Sequence, residues 1–310
     1  MVKIDLTDTY YYVPLSLSSR KYVRFEWQGT FYEFTCLMFG LGPGPRIFTK
    51  LMKVRITLLR RLKIRLIIYF DDMLIMASLE EIQGARDTVV YLFRALGLVL
   101  NLEKSDLEPK QIMEFLCFLV DSKELTLSIP KSKMDHLMNQ CRKTLTSRSI
   151  KLRKLARLIG KLQATAPAFN FAKLQVRYLQ QELIQGIRKR GSYECQVHLG
   201  KEAWSELDWW INNLQIMNGS PIRLNPPEIF ISTDAAKGRS GGWGAECQGM
   251  PTRGTWDQEE RDLSINVLEL LAAEYGLKSF LKDKKDVSVH LSIDNTTALS
   301  YIAKMGGQGP

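Results

Sequence analysis

The chain has 310 residues, 45% of them hydrophobic, and carries a net charge of +10 from 43 Lys and Arg against 33 Asp and Glu. That length and apolar content suffice for two or three packed domains and exclude a disordered chain. No signal peptide is expected, no apolar run approaches the roughly 20 residues of a membrane span, and the spacing of Cys36, Cys117, Cys141, Cys195 and Cys247 suggests no secretory disulfide framework, so an intracellular compartment and no membrane partner are expected.

In chain order, the first predicted element is a strand within Lys3-Ile4-Asp5-Leu6-Thr7-Asp8-Thr9, followed by the aromatic run Tyr10-Tyr11-Tyr12. By itself Asp5 reads as an edge-strand acid facing water. A Gly- and Pro-rich stretch, Phe39-Gly40-Leu41-Gly42-Pro43-Gly44-Pro45-Arg46-Ile47-Phe48, comes next. Arg46 through Arg65 then hold eight basic residues and no acid, which is either a solvated face or a stripe for phosphate contacts.

Leu66-Ile67-Ile68 and Met73-Leu74-Ile75-Met76 flank Tyr69-Phe70-Asp71-Asp72, the pattern of a hairpin presenting two carboxylates on a tight turn. Negative charge held against an apolar sheet is costly unless a cation neutralises it, and a hard divalent ion such as Mg²⁺ is the usual oxygen-liganded partner. Asp is also an ordinary turn former, so the metal reading needs a second acidic element. Asp5 supplies one: as neighbours in one sheet, Asp5 and Asp71 would share two metals about 3.5–4 Å apart.

Beyond Leu96-Gly97-Leu98 and Lys104-Ser105 lies the largely apolar stretch Phe115-Leu116-Cys117-Phe118-Leu119-Val120. Helices are predicted from Pro130 and over Lys151–Leu162, where Leu and Ile recur at helical spacing with basic residues between; the apolar face is core, and the basic face suits a nucleic-acid backbone. Trp204, Trp209 and Trp210 share another predicted helix, as core or as a base-stacking platform. Cys195 and His198 offer two zinc ligands without a second pair, and His136 and His290 stand alone as structural residues.

A second module is predicted after Pro226-Pro227. The strand Ile229-Phe230-Ile231-Ser232-Thr233-Asp234 ends in an acid, Gly241-Gly242-Trp243-Gly244-Ala245-Glu246 is its antiparallel partner, and Ser264 is the candidate N-cap of a helix over 264–273 containing Glu269. Val287-Ser288-Val289-His290-Leu291-Ser292-Ile293-Asp294 alternates as another strand ending in an acid. Each carboxylate alone has a bland reading as a cap, a helix-surface charge or a turn residue. Their order and context argue for a joint site. Residues 226–310 hold 9 Lys/Arg and 12 Asp/Glu, leaving 34 and 21 of the chain's 43 and 33 to the preceding part, so the positive charge is concentrated there.

These blocks, in this order, resemble the palm of reverse transcriptases, specifically those of long terminal repeat and DIRS-type retroelements, joined to a ribonuclease H. The resemblance implies an α+β fold: a polymerase palm of antiparallel sheet with packed helices over residues 1–125, with a primer-gripping hairpin at Phe115–Val120, a helical thumb/connection over 126–225, and a partial ribonuclease H-like mixed α/β domain over 226–310. It implies Asp5, Asp71 and Asp72 as the polymerase's catalytic, metal-holding acids, and Asp234, Glu269 and Asp294 as the first three metal ligands of the ribonuclease H, with Mg²⁺ or Mn²⁺ as cofactor. Tyr10, Phe39, Gly40, Arg46 and Lys104 fall on nucleotide- and template-binding positions; Tyr10 would lie under the incoming sugar, and Lys104 would neutralise or protonate the leaving group. The implied partners are an RNA or DNA template with primer, an RNA/DNA hybrid and deoxynucleoside triphosphates.

The chain departs from the family pattern at Thr9, where Ala is usual; at Met38, where Pro is common; at Gly42-Pro43-Gly44, in place of small Ser and Ala residues; and at Cys117, in place of Gly. It starts four residues before Asp5, so the upstream fingers segment is expected to be missing, and it stops at Pro310, before the family's fourth acid. The expectation is an RNA-directed DNA polymerase with attached ribonuclease H, impaired by truncation; the alternative is a catalytically inactive nucleic-acid-binding retroelement remnant.

Overall fold

In the computed structural model, residues 1–306 other than 148, 224 and 239 are described. They fall into two compact units, Met1–Pro130 and Lys131–Pro310. The last four residues of the segment expected over 226–310, including Pro310, lie outside the described residues.

The first unit runs β1 (Val2–Asp5), β2 (Arg24–Trp27), β3 (Thr30–Glu33), α1 (Gly44–Arg61), β4 (Arg65–Tyr69), β5 (Asp72–Met76), α2 (Ile82–Ala95), β6 (Ile112–Phe115), β7 (Phe118–Asp121) and β8 (Thr126–Ser128). Its central sheet has the order β1-β5-β4, with both outer strands antiparallel to β5. The middle position of β5 explains the unbroken apolar run Met73-Leu74-Ile75, since a strand paired on both edges and covered on both faces has no side for polar residues; all three are buried. β4 is an edge strand and alternates, with Leu66 buried and Ile67 exposed.

Two helices cover the sheet. α1 buries Phe48, Met52, Ile56 and Leu59 along one stripe and leaves most of its Lys and Arg in water. Pro45 is accommodated in the first turn, where its missing N–H has no intrahelical partner to lose. α2 buries Ile82, Val89 and Phe93, and these side chains join Val2, Ile4 and Met73 in one core cluster. Each fully buried side chain of this size contributes about 1.5–3 kcal/mol.

β6 and β7 form the expected hairpin, with Phe115 paired to Phe118 across the two-residue turn Leu116-Cys117. Both turn residues have positive φ, 46° and 70°, a conformation that a two-residue hairpin demands and that Gly or Asn adopts at lower cost.

The second unit begins with α3 (Lys131–Thr146), β9 (Ile150–Lys151), α4 (Leu152–Ala164), α5 (Arg177–Arg190), β10 (Gln196–Val197) and α6 (Lys201–Asn213). α4 buries Leu152, Leu155, Leu158, Ile159 and Leu162, the stripe its spacing predicts. Of the tryptophans on α6, Trp210 is core, packed edge-on to Phe169 with its indole N–H donating to the Gln175 carbonyl at 2.7 Å, whereas Trp204 is 37% exposed.

A four-stranded sheet follows, formed by β11 (Ile229–Ala235), β12 (Gly242–Cys247), β13 (Met250–Thr255) and, after α7 (Ile265–Leu281), β14 (Val289–Ile293); α8 (Thr296–Lys304) comes last. The order is β13-β12-β11-β14, with β11 and β14 parallel and the other pairs antiparallel. β11 turns Ile229, Ile231, Thr233 and Ala235 inward and leaves Phe230, Ser232 and Asp234 exposed. α7 lies close to this sheet because Gly276 has no side chain: a Cβ there would meet Thr233 Cγ2 and Ala245 Cβ at 3.0 Å each. The helix expected over 264–273 continues to Leu281, and Ser264 occupies the N-cap without a side-chain capping bond.

Candidate carboxylate sites

The first set of acids gathers at one end of the β1-β5-β4 sheet. Asp5, the last residue of β1, stands opposite Asp72, the first of β5. Phe70 adopts φ 55° to close the β4–β5 turn, and the Asp71 carbonyl accepts from Leu6 N at 3.2 Å. The two adjacent carboxylates expected on the turn are therefore divided, with Asp71 in the turn and Asp72 in the strand, and Asp72 is the ladder partner of Asp5. Phe70-Asp71 is the shortest connection that lets Tyr69 and Asp72 pair, which is why the second acid is drawn into β5.

The loop that follows α2 secures β1. Asn101 N donates to the Asp5 carbonyl at 2.9 Å, Asp5 N donates to Ser105 Oγ at 3.0 Å, and Lys3 and Asp106 bridge their backbones. This docking brings Lys104 within electrostatic reach of Asp5. The Asp5 carboxyl is held above the usual carboxylate range, first by burial, then by the negative charges of Asp72 and Asp71, with Lys104 and Lys3 opposing.

Tyr10 lies in the 3-10 turn Thr9–Tyr12, its ring 4.9 Å from Phe39 and 5.6 Å from Phe48. Its hydroxyl is shifted up by burial and by the Asp71 charge, so one side chain packs on the core within electrostatic reach of Asp71. Phe39 is 56% exposed, and Gly40 takes φ 88°, a conformation that favours glycine. Arg46 is exposed on the first turn of α1 and is not among the charges acting on Asp5.

The second set is tighter. Asp234 near the end of β11, Glu269 on α7 and Asp294 just past β14 place one carboxylate oxygen each within 4.8 Å of one another. Thr233 pairs with Ile293 in the parallel ladder, so the two aspartates leave adjacent strands at the same end. Open α/β sheets bind ligands at this end of their strands. Glu269 is 3% exposed, its Oε2 has no hydrogen-bond partner, and its carboxyl is raised by burial, by Asp294 and by Asp234, with the Ala235 backbone bond opposing.

Both sets suit a hard divalent cation. The donors are all carboxylate oxygens, and an orphaned buried oxygen at Glu269 is the group such an ion would satisfy. Among the described residues, Asp234, Glu269 and Asp294 are the one group of three ligand side chains with atoms inside that 4.8 Å span; Asp5, Asp71 and Asp72 are neighbours in the sheet but do not reach it, and neither do Cys195 and His198.

Between α3 and α4 lies a groove of about 610 Å³ lined by Lys143, Lys151, Lys154, Arg157, Lys161 and His136, with no carboxylate on its walls. Lys161 Nζ lies 3.2 Å from His136 Nε2 and donates to Gln140 Oε1 at 3.2 Å, so His136 is part of this surface. A shallower groove on α1 is lined by Lys50, Lys53 and Arg61. Arg60 directs Nη2 at the Leu66 carbonyl.

Ser105, Lys3 and Asn295 were not among the residues expected to matter. Asn295 caps α8, and Asn before a helical run is a signal the sequence contains. Nothing local to Ser105 indicates that it meets Asp5.

Residues 1–120, nearly the whole of the first unit, match the family model described as reverse transcriptase (RNA-dependent DNA polymerase). A comparison with curated proteins found no match. Three solved structures are similar. The foamy viral protease-reverse transcriptase dRH in complex with double-stranded DNA shares 16% identity at TM-score 0.61, over 96% of this chain and 51% of that one. The foamy viral protease-reverse transcriptase in complex with double-stranded DNA shares 17% at 0.62, over 96% and 60%. The same enzyme in complex with an RNA/DNA hybrid shares 18% at 0.61, over 100% and 40%. The fold is thus a mixed α/β arrangement like that of a retroviral reverse transcriptase, and the chain spans between 40% and 60% of the proteins it resembles.

Proposed function

We propose that the chain is an RNA-directed DNA polymerase with an attached ribonuclease H from a retroelement, comprising a palm over 1–125, a thumb/connection over 126–225 and a ribonuclease H-like domain over 226–310. The observation that carries the polymerase reading is the meeting of Asp5, Asp71 and Asp72 at one sheet end, inside the segment matched by the reverse transcriptase model. The 4.8 Å grouping of Asp234, Glu269 and Asp294 supports the ribonuclease reading.

Asp5 and Asp71 would hold two divalent cations, with Asp72 supporting, and Asp234, Glu269 and Asp294 would hold the pair in the second site. Bound there, Mg²⁺ or Mn²⁺ supplies activation of the attacking oxygen and stabilisation of the leaving one. Tyr10, seated on Phe39, offers a flat ring beside Asp71 for the sugar of a deoxynucleoside triphosphate. Lys104 adds the positive charge a departing pyrophosphate requires. The acid-free groove between α3 and α4 and the basic face of α1 suit phosphates of a template with primer, and the similar foamy viral structures were solved with double-stranded DNA and with an RNA/DNA hybrid.

The test is primer extension on an RNA template with Mg²⁺ and Mn²⁺ separately, alongside cleavage of the RNA strand of a hybrid. Asp71→Asn should abolish extension and leave duplex binding and RNA cleavage intact, while Asp234→Asn should abolish cleavage alone. Extension unchanged in Asp71→Asn rejects the palm assignment. Duplex binding without either activity identifies a nucleic-acid-binding remnant.

A further inference from the structure

Asn295 follows Asp294 directly, and Asn266 lies one turn before Glu269 on α7. The Asn295 side-chain carbonyl accepts from Thr297 N at 2.9 Å and Ala298 N at 3.0 Å, capping α8. Its Nδ2 donates to Asn266 Oδ1 at 3.0 Å. Both ends of one amide are therefore occupied, which fixes its orientation: oxygen toward α8, nitrogen toward α7. Ser or Asp would cap α8 about as well, but neither carries the amide donor that reaches α7.

This bond joins the two elements that present Glu269 and Asp294. β14 and α7 approach at the acid cluster, where three like charges oppose close approach and Glu269 Oε2 has no hydrogen bond of its own. A neutral cross-link beside each acid opposes that repulsion without adding charge to the site.

We propose that the Asn266–Asn295 hydrogen bond is a positioning clamp that holds the Glu269 and Asp294 carboxylates at metal-binding separation. The inference rests on the metal-site reading of Asp234, Glu269 and Asp294. Asn266 and Asn295 are positioning residues that act through the carboxylates.

The experiment is Mn²⁺ titration of the full chain by calorimetry, with the thermal midpoint recorded for each protein: wild type, Asp234→Asn, Asn266→Ala, Asn295→Ser and the double variant. The binding component lost in Asp234→Asn defines the site. Asn266→Ala and Asn295→Ser should each weaken that component about tenfold, the size seen when groups supporting metal ligands are removed. The double variant should be no weaker than either single one, because both remove the same bond. A purely structural role would lower the midpoint and leave Mn²⁺ affinity unchanged; that result, or losses that multiply in the double variant, overturns the clamp. If Asn266→Ala does not fold, Asn295→Ser carries the test, since Ser retains the α8 cap. Failure of Asp234→Asn to remove any component overturns the metal-site reading itself and the clamp with it, and that outcome is seen before either Asn variant is compared.

Discussion

Asp5 and Asp72 are register partners across the β1–β5 ladder, two like charges set opposite each other where cross-strand neighbours are at their closest. Such a pair weakens a sheet, and Asp5 is also buried. The sheet keeps this arrangement at the end where the Asp71 turn adds a third carboxylate. A fold that concentrates three carboxylates at one strand end, opposed only in part by Lys104 and Lys3, is stabilised by a cation that settles there.

Asp5→Asn should therefore separate stability from activity. Replacing the buried, repelled carboxylate with a neutral amide raises the thermal midpoint of the metal-free protein at pH 7. The same change lowers nucleotide incorporation by about 10³-fold or more, corresponding to several kcal/mol of lost charge stabilisation. Thermal melts in EDTA and primer extension on the same preparation check both; a lowered midpoint would contradict the electrostatic account.

Glu269 predicts a pH dependence. Its carboxyl in the folded chain is held above the ordinary value of 4.5, so between the two values the folded state binds more protons than the unfolded state. The stability this group contributes is fully present below the ordinary value and is lost as pH rises through the raised one. Glu269→Gln should raise the midpoint in EDTA at pH 7 and 8, with the gain shrinking toward pH 4. Adding Mg²⁺ to the wild type should recover the deficit, and Glu269→Gln should respond less. A gain independent of pH would exclude ionisation as the cause.

Gly276→Val should destabilise the second unit by about 1–3 kcal/mol, because the new side chain has no room against Thr233 and Ala245. Displacing α7 also displaces Glu269, so Mn²⁺ affinity should fall together with the urea midpoint. Gly160→Val, in open surroundings in the middle of α4, should change stability only slightly, in the stabilising direction because Gly is the poorer helix former, and should leave Mn²⁺ affinity alone.

Lys154 and Arg157 line the groove between α3 and α4. Changing both to Ala should weaken duplex binding uniformly across sequences and reduce the slope of log affinity against log salt by about two. An unchanged slope, measured by fluorescence anisotropy between 50 and 200 mM salt, would put these residues away from the phosphates.

Much of the architecture is legible along the chain because it depends on short-range periodicity. The apolar run Met73-Leu74-Ile75, the Leu and Ile spacing of α4 and the alternation of β11 each identify the element and its buried face. The three acids of the second unit were also legible as a group, since strand end, helix and strand end bring Asp234, Glu269 and Asp294 together once β11 and β14 pair in parallel. Tertiary structure decided the rest. Asp72 rather than Asp71 is the register partner of Asp5, Ser105 reaches Asp5 across a separation of 100 residues, and Asn295 meets Asn266. Glu206, which resembles any helix-surface acid in the sequence, is buried and accepts from Tyr178 N and Leu179 N at 2.9 Å each, at the start of α5. The division has one physical reason: local propensity and periodicity act over a turn or a strand, whereas register and partner choice follow from which faces the whole chain buries together.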